Sequence, residues 1–218
     1  MTLAIFDLDN TLLSGDSDFG WGKFLVDRNL VNREIYQQAN EKFFQDYKQG
    51  ILDIYEYSAF SFGPLADRSM EELEDLHNQF MHEVIRPMMG DKAKNLVEQH
   101  RRQGHVLLVI TATNSFITRP IVQAFGIDHL LATDPKIING RYSTEIDGIP
   151  CYKEGKVQRL QQWLRDNGQS LNDSWFYTDS INDRTLLEQV THPVAVDPDD
   201  KLLALARRRG WQVMSLRS

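Results

Sequence analysis

Six positions of this chain carry side chains on which chemistry could be built: Asp7 and Asp9, Thr111, Lys156, and Asp179 with Asp183. Asp7, Asp9 and Asp179, gathered in one place, would repel one another, and each would resist ionisation without a counter-charge. A hard divalent cation relieves that repulsion. Mg²⁺ takes a few carboxylate oxygens and completes its octahedron with waters and a substrate phosphate oxygen. A lysine and a hydroxyl in the same place add donors for a phosphoryl group. Taken singly, each residue has a plainer explanation. Aspartates cap helices, threonines fill strands, and a lysine in a first helical turn is ordinarily solvated. Those explanations serve one position at a time and account poorly for the set.

The surrounding elements decide whether the six can meet. Leu3-Ala4-Ile5-Phe6, Val106 to Ile110, Trp175-Phe176-Tyr177 and Val194-Ala195-Val196 are continuous apolar runs, with Trp211 to Met214 weaker. Continuous rather than alternating apolarity suits strands buried on both faces of a parallel sheet. Helical patterns separate these runs: Lys92 to Gln103 before Gly104, Ile117 to Phe125 before Gly126, a stripe of Val157, Leu160, Trp163 and Leu164, then Leu186 to Val190 and Leu202 to Ala206. The alternation predicts an α/β fold with a doubly wound parallel sheet. Ligands in such sheets bind beyond the carboxyl ends of the strands. Asp7, Thr111 and Asp179 each follow one, and Lys156 opens a helix.

Two segments break the alternation. Ile137 to Ile149, with Asn139-Gly140 and Asp147-Gly148 as turn dipeptides, predicts a β-hairpin. From about Ser14 to Met88 no strand signal occurs. Val31, Ile35, Ala39, Phe43 and Tyr47 fall at helical spacing, as do Met70, Leu73, Leu76, Phe80 and Val84, the latter behind a capping box at Ser69-Met70-Glu71-Glu72. The expected division is a catalytic core over 1–14 and 89–218, with a helical cap over 15–88 inserted after the first motif.

In this order, Asp7-Leu8-Asp9-Asn10-Thr11, a lone Thr111 after an apolar strand, Lys156 and Asp179-Ser180-Ile181-Asn182-Asp183 together resemble the haloacid-dehalogenase-like phosphohydrolases. The position of the insert resembles their phosphoserine-phosphatase-like branch. The resemblance implies a Rossmann-like core and a Mg²⁺-dependent phosphomonoesterase. It also implies that Asp7 and Asp179 ligate the metal through side chains and Asp9 through its backbone carbonyl, with Asp183 supporting the metal site from behind. Asp7 is then the nucleophile that becomes an aspartyl-phosphate, and Asp9 the general acid and base. Thr111 and the Ala112 backbone N–H are the expected phosphate donors, beside Lys156. Two departures stand out. Thr178 and Ser180 occupy places where relatives often carry glycine, and the second motif continues Ala112-Thr113-Asn114, which adds Asn114 as a candidate phosphate ligand.

A helical lid that excludes water suits a small phosphate-ester substrate. Asp16, where phosphoserine phosphatases place the acidic side chain that receives the substrate ammonium, is the candidate for that role; a helix N-cap is its plainer reading. Those enzymes also use a lid arginine for the substrate carboxylate. Here residues 49–67 contain no Lys or Arg, only Asp53, Glu56 and Asp67 among Tyr55, Tyr57, Phe60 and Phe62. An acidic, aromatic lid favours an amino-alcohol phosphate, histidinol phosphate above all. Phosphoserine hydrolysis and phosphotransfer stay open, as do two other classes, a phospho-accepting receiver and a non-catalytic binding domain.

Composition narrows the partners. A formal net charge of −7 draws the chain to neither nucleic acid nor an anionic membrane. The basic run Arg207-Arg208-Arg209 reads as a last helical turn. Cys151 is the single cysteine, so no internal disulfide forms, and the short apolar start before Asp7 is unlike a secretory leader. A cytoplasmic enzyme is expected. Nothing in the chain speaks to its oligomeric state.

Overall fold

A computed structural model describes residues 2–217. Its centre is a seven-stranded sheet in the order β4-β3-β2-β1-β5-β6-β7. The strands are β1 (Leu3–Phe6), β2 (Val106–Asn114), β3 (His129–Ile138), β4 (Arg141–Asp147), β5 (Trp175–Thr178), β6 (His192–Val196) and β7 (Gln212–Met214). Every pairing is parallel except β3 with β4.

The apolar runs are continuous because each strand feeds two cores. Ala4 and Phe6 of β1, Leu107 and Val109 of β2, and Val194 and Val196 of β6 belong to one buried cluster. Their neighbours Leu3, Ile5, Leu108, Ile110 and Ala195 belong to a second, on the opposite face. Alternate side chains of a strand point to opposite faces, so both sets must be apolar when both faces are covered. The first face is covered by α6 (Asp91–Arg102) and α7 (Ser115–Ala124). The second is covered by α8 (Glu154–Asp166), α9 (Arg184–Leu187) and α10 (Asp200–Arg209), whose last turn is the basic run.

The stretch between β1 and α6 is helical throughout, as expected. It holds α1 (Ser17–Asp27), α2 (Arg33–Gln49), α3 (Ile54–Ala66), α4 (Met70–Phe80) and, after a wider turn, α5 (Arg86–Met88). The Ser69 capping box forms in both directions. Trp21, Phe24, Phe62, Leu65, Leu73 and Phe80 of this stretch join the first sheet-face cluster, so cap and core share apolar contacts.

Three sequence expectations need correction. The hairpin begins earlier than Ile137. β3 is one bent strand whose start pairs parallel with β2 (Leu108 with His129) before its end pairs antiparallel with β4 (Ile138 with Arg141). Asp134-Pro135, in mid-strand, masked its continuity. Ile35 and Met70 are exposed rather than part of the buried stripes. On α2 the buried face keeps Phe43 but takes Tyr36 in place of Ile35, because the neighbouring α3 offers Tyr57 and Phe60 there.

Candidate active site

β1 ends at Phe6, and the Asp7 N–H donates to the Tyr177 carbonyl of β5 at 2.8 Å, which fixes Asp7 at the rim between the two central strands. Lys156 lies in the first turn of α8, fully enclosed. Its Nζ donates to Asp7 Oδ1 at 3.0 Å and to Asp183 Oδ2 at 2.9 Å. Asp183 also accepts from Thr178 Oγ1 at 2.8 Å. It therefore stands behind the lysine rather than in the cavity. Asp179, which follows β5, accepts from Thr11 Oγ1 at 3.0 Å.

Asp9 is held differently. The chain turns sharply after Leu8, with Asp9 extended (ψ 134°) and Asn10 left-handed at φ 56°. Its carboxylate accepts from the Ser17 N–H at 2.6 Å and from Thr113 Oγ1 at 2.8 Å. Thr111 is buried in β2, its Oγ1 accepting from the Thr113 N–H at 3.2 Å. Asp7, Asp9, Thr111, Ala112, Lys156 and Asp179 all line one cavity of about 120 Å³ beneath the cap. A broader groove of about 640 Å³ lies at Trp175 and His192, where β5 and β6 begin. That is the wrong end of the strands for a site of this fold.

Asp16 and Asn114 have other work. Asp16 caps α1, its Oδ1 accepting from the Asp18 and Phe19 N–H groups at 2.9 Å each, although the residue also borders the cavity. Asn114 caps α7 through the Ile117 N–H at 3.1 Å, and its amide donates to Ser61 Oγ at 3.4 Å. The structure does not bring Asn114 to the cavity wall. Sequence reasoning gave no functional role to Thr113 or Asp18. Asp18 is buried and accepts from the Tyr57 hydroxyl and from Ser61 Oγ on α3. Only its spacing of two from Asp16, on one helical start, could have drawn attention to it.

Burial dominates the electrostatics. It pushes Asp7 up to about 7 despite the opposing Lys156 ammonium. Burial raises Asp9 to about 6 and Asp18 to about 8. Asp179 is raised well above its ordinary value by burial and then by Asp7. Five carboxylates and one ammonium border this cavity, and that ammonium is already shared between Asp7 and Asp183. The donor set is short of positive charge. Among the described residues no three His, Cys, Asp or Glu side chains form a ready-made metal cage. Mg²⁺ asks for less: one or two carboxylates, with waters and phosphate oxygens completing its shell. Asp7 and Asp179, both raised and both at the rim, fit that demand.

A model of the haloacid dehalogenase-like hydrolases matches residues 4–188. A histidinol-phosphatase of Neisseria meningitidis is 42% identical over 99% of this chain and 99% of its own length. A phosphoserine phosphatase of Mycobacterium tuberculosis is 29% identical, covering 98% of this chain and 70% of that protein. Among solved structures, a Bordetella pertussis protein of unknown function superposes with a TM-score of 0.93 at 43% identity over the full length of both chains. A substrate-bound phosphoserine phosphatase shares the fold, with a TM-score of 0.71 at 16% identity over 99% of this chain and 93% of its own. The chain belongs to the haloacid dehalogenase-like hydrolase family. Within it, the chain is an enzyme of the phosphatase type.

Proposed function

We propose that this phosphatase hydrolyses a small amino-alcohol phosphate, with histidinol phosphate as the leading candidate, through an aspartyl-phosphate on Asp7 and with Mg²⁺ as cofactor. One observation carries the substrate class. The cavity under the cap is walled by carboxylates and aromatic rings, and its single cation, Lys156, is spoken for by Asp7 and Asp183. A substrate carboxylate would find no counter-charge there. A cationic or imidazole-bearing group would meet Asp16 and Asp18 beside Phe43, Phe44 and Tyr57, which suits such a group electrostatically. The 42% identical histidinol-phosphatase supports the same choice.

The chemistry follows from the residues. The Asp7 carboxylate attacks phosphorus, the phosphorus–alkoxide bond breaks, and Asp9 gives its proton to the departing oxygen. Water then attacks the aspartyl-phosphate, Asp9 takes back a proton, and inorganic phosphate leaves. An acid that must also serve as a base works best with a pKa near the operating pH, and burial brings Asp9 to about 6. Thr113 and the Ser17 N–H orient that carboxylate. Thr111, the Ala112 N–H and Lys156 are the donors for the phosphoryl oxygens. Asp7 and Asp179 side chains and the Asp9 carbonyl would hold Mg²⁺, which supplies the positive charge the phosphoryl group and the nucleophile both need.

Phosphoserine is the second substrate to weigh, since a 29% identical relative bears that name. The decisive measurement is kcat/KM for histidinol phosphate against phosphoserine, with and without EDTA. We expect histidinol phosphate to win by at least tenfold, and turnover to stop in chelator and return with Mg²⁺. Preference for phosphoserine would overturn the substrate, and undiminished rates in EDTA would overturn the metal.

A further inference from the structure

We propose that Arg217, remote in sequence and outside the cavity wall, is a positioning residue for the proton donor Asp9. The turn carrying Asp9 is irregular, so its carbonyls lack regular partners, and orphaned backbone acceptors need donors from elsewhere. Arg217 supplies them. Its guanidinium donates to the Leu13 carbonyl at 3.1 Å, to the Thr11 carbonyl at 3.5 Å and, most closely, to the Asn10 carbonyl. One planar fork thus ties three carbonyls of a single turn, a geometry that a lysine cannot reproduce.

Arg217 is itself anchored. Leu216, just before it, is buried in the first sheet-face cluster, and its N–H donates to Asp197 Oδ2 at 2.9 Å. The same carboxylate lies 3.8 Å from Arg217 Nε, and Lys92 Nζ donates to the Arg217 carbonyl at 2.6 Å. The arginine is therefore a fixed brace running from the end of β6 to the turn after β1. Asn10 adjoins Asp9, and Thr11 donates to Asp179. The brace acts on the loop that aims the acid.

This inference rests on the assignment of Asp9 as proton donor, and the leaving group offers a way to test the two apart. An alkyl alkoxide needs a proton as it departs, whereas p-nitrophenolate leaves without one. Hydrolysis of the aspartyl-phosphate, in which Asp9 acts as base, is common to both substrates, so the contrast is read in kcat/KM, which reports only the steps through phosphoryl transfer to Asp7. There a misaimed carboxyl should slow the alkyl phosphate and largely spare p-nitrophenyl phosphate. For Arg217→Ala we expect kcat/KM on the preferred alkyl phosphate to fall roughly 10- to 100-fold, the scale of a small misplacement. On p-nitrophenyl phosphate the loss in kcat/KM should stay within about threefold. Arg217→Lys should recover only part of the lost rate. Asp9→Asn, run beside it, should show the same leaving-group contrast at about 10²–10⁴-fold. If Asp9→Asn shows no contrast, the acid assignment fails. If Asp9→Asn shows it and Arg217→Ala slows both substrates equally, or neither, the brace fails. Should Arg217→Ala be too unstable for kinetics, Arg217→Gln, which keeps much of the stem, gives the same comparison.

Discussion

Asp18 occupies an uncomfortable position for a carboxylate: buried, hydrogen-bonded by Tyr57 and Ser61, and without a cationic partner among the described residues. Burial, then the charges of Asp16 and Asp9, push it up to about 8. Ionised freely when unfolded but resistant when folded, it binds a proton more readily in the native state. Its contribution therefore weakens stability as pH climbs from about 4 towards 8. Asp18→Asn should raise the unfolding midpoint more at pH 7.5 than at pH 4.5, and should lower kcat/KM for an amino-alcohol phosphate at least tenfold while sparing a neutral ester. Equal midpoint changes at the two pH values would remove the electrostatic account. This residue was nearly invisible in the sequence, because the partners that define it come from α3, some forty positions away. The motif aspartates were legible because their spacing and order are themselves the signal. Asn114 shows the reverse failure, since an asparagine after a strand serves a helix start as readily as a phosphate, and here it caps α7.

At the scale of elements, the buried strands could be read from composition because each must satisfy two cores at once. Bent β3 could not, since Pro135 interrupts the pattern while the fold tolerates it at a register shift. Packing of α6 onto β5 carries its own pH signature. His100 Nε2 lies 2.7 Å from the Tyr177 hydroxyl and Nδ1 2.8 Å from His105 Nδ1, and burial pushes His100 down to about 4. Between pH 6.5 and 4 the unfolded chain takes a proton that the native one refuses. Stability should fall across that window. Urea midpoints of His100→Gln against the parent should converge as pH drops through it; parallel curves would refute the assignment. The end of α2 makes a second element-level case. Its last carbonyls, which lack helical partners, accept from three core side chains: Asn182 to Tyr47 at 3.2 Å, Lys201 to Lys48 at 3.3 Å, and Lys153 to Gly50 at 2.5 Å. Lys153→Met should raise KM about fivefold with kcat unchanged or higher, as expected for a loosened lid. Kinetic constants within twofold of the parent would show that this clasp does not hold the cap.

Across the whole molecule, the helical character of the stretch between β1 and α6 was legible as a long run with helical periodicity and no strand signal. Its relation to the sheet was not, because shared burial leaves no local trace in a sequence. Trp21, Phe24, Leu73 and Phe80 sit in the same cluster as Phe6 and Val109, whereas Tyr36 and Phe43 of α2 lie outside it and stack their rings on Phe60 and Tyr57 of α3. We propose that opening involves α2 and its clasp rather than the cap as a block. Amide exchange offers the measurement. Protection in α1 and α4 should match that of β2, and α2 should exchange far faster. Uniformly weak protection across 15–88 would instead mark the cap as one swinging unit.

The continuity of that apolar cluster also bears on how the chain comes apart. Loosening α4 withdraws Leu73 and Phe80 from the cluster to which β1 also contributes, so neither part retains a complete interior alone. Denaturation in urea should therefore proceed in a single cooperative step, with no surviving half-molecule at intermediate concentrations.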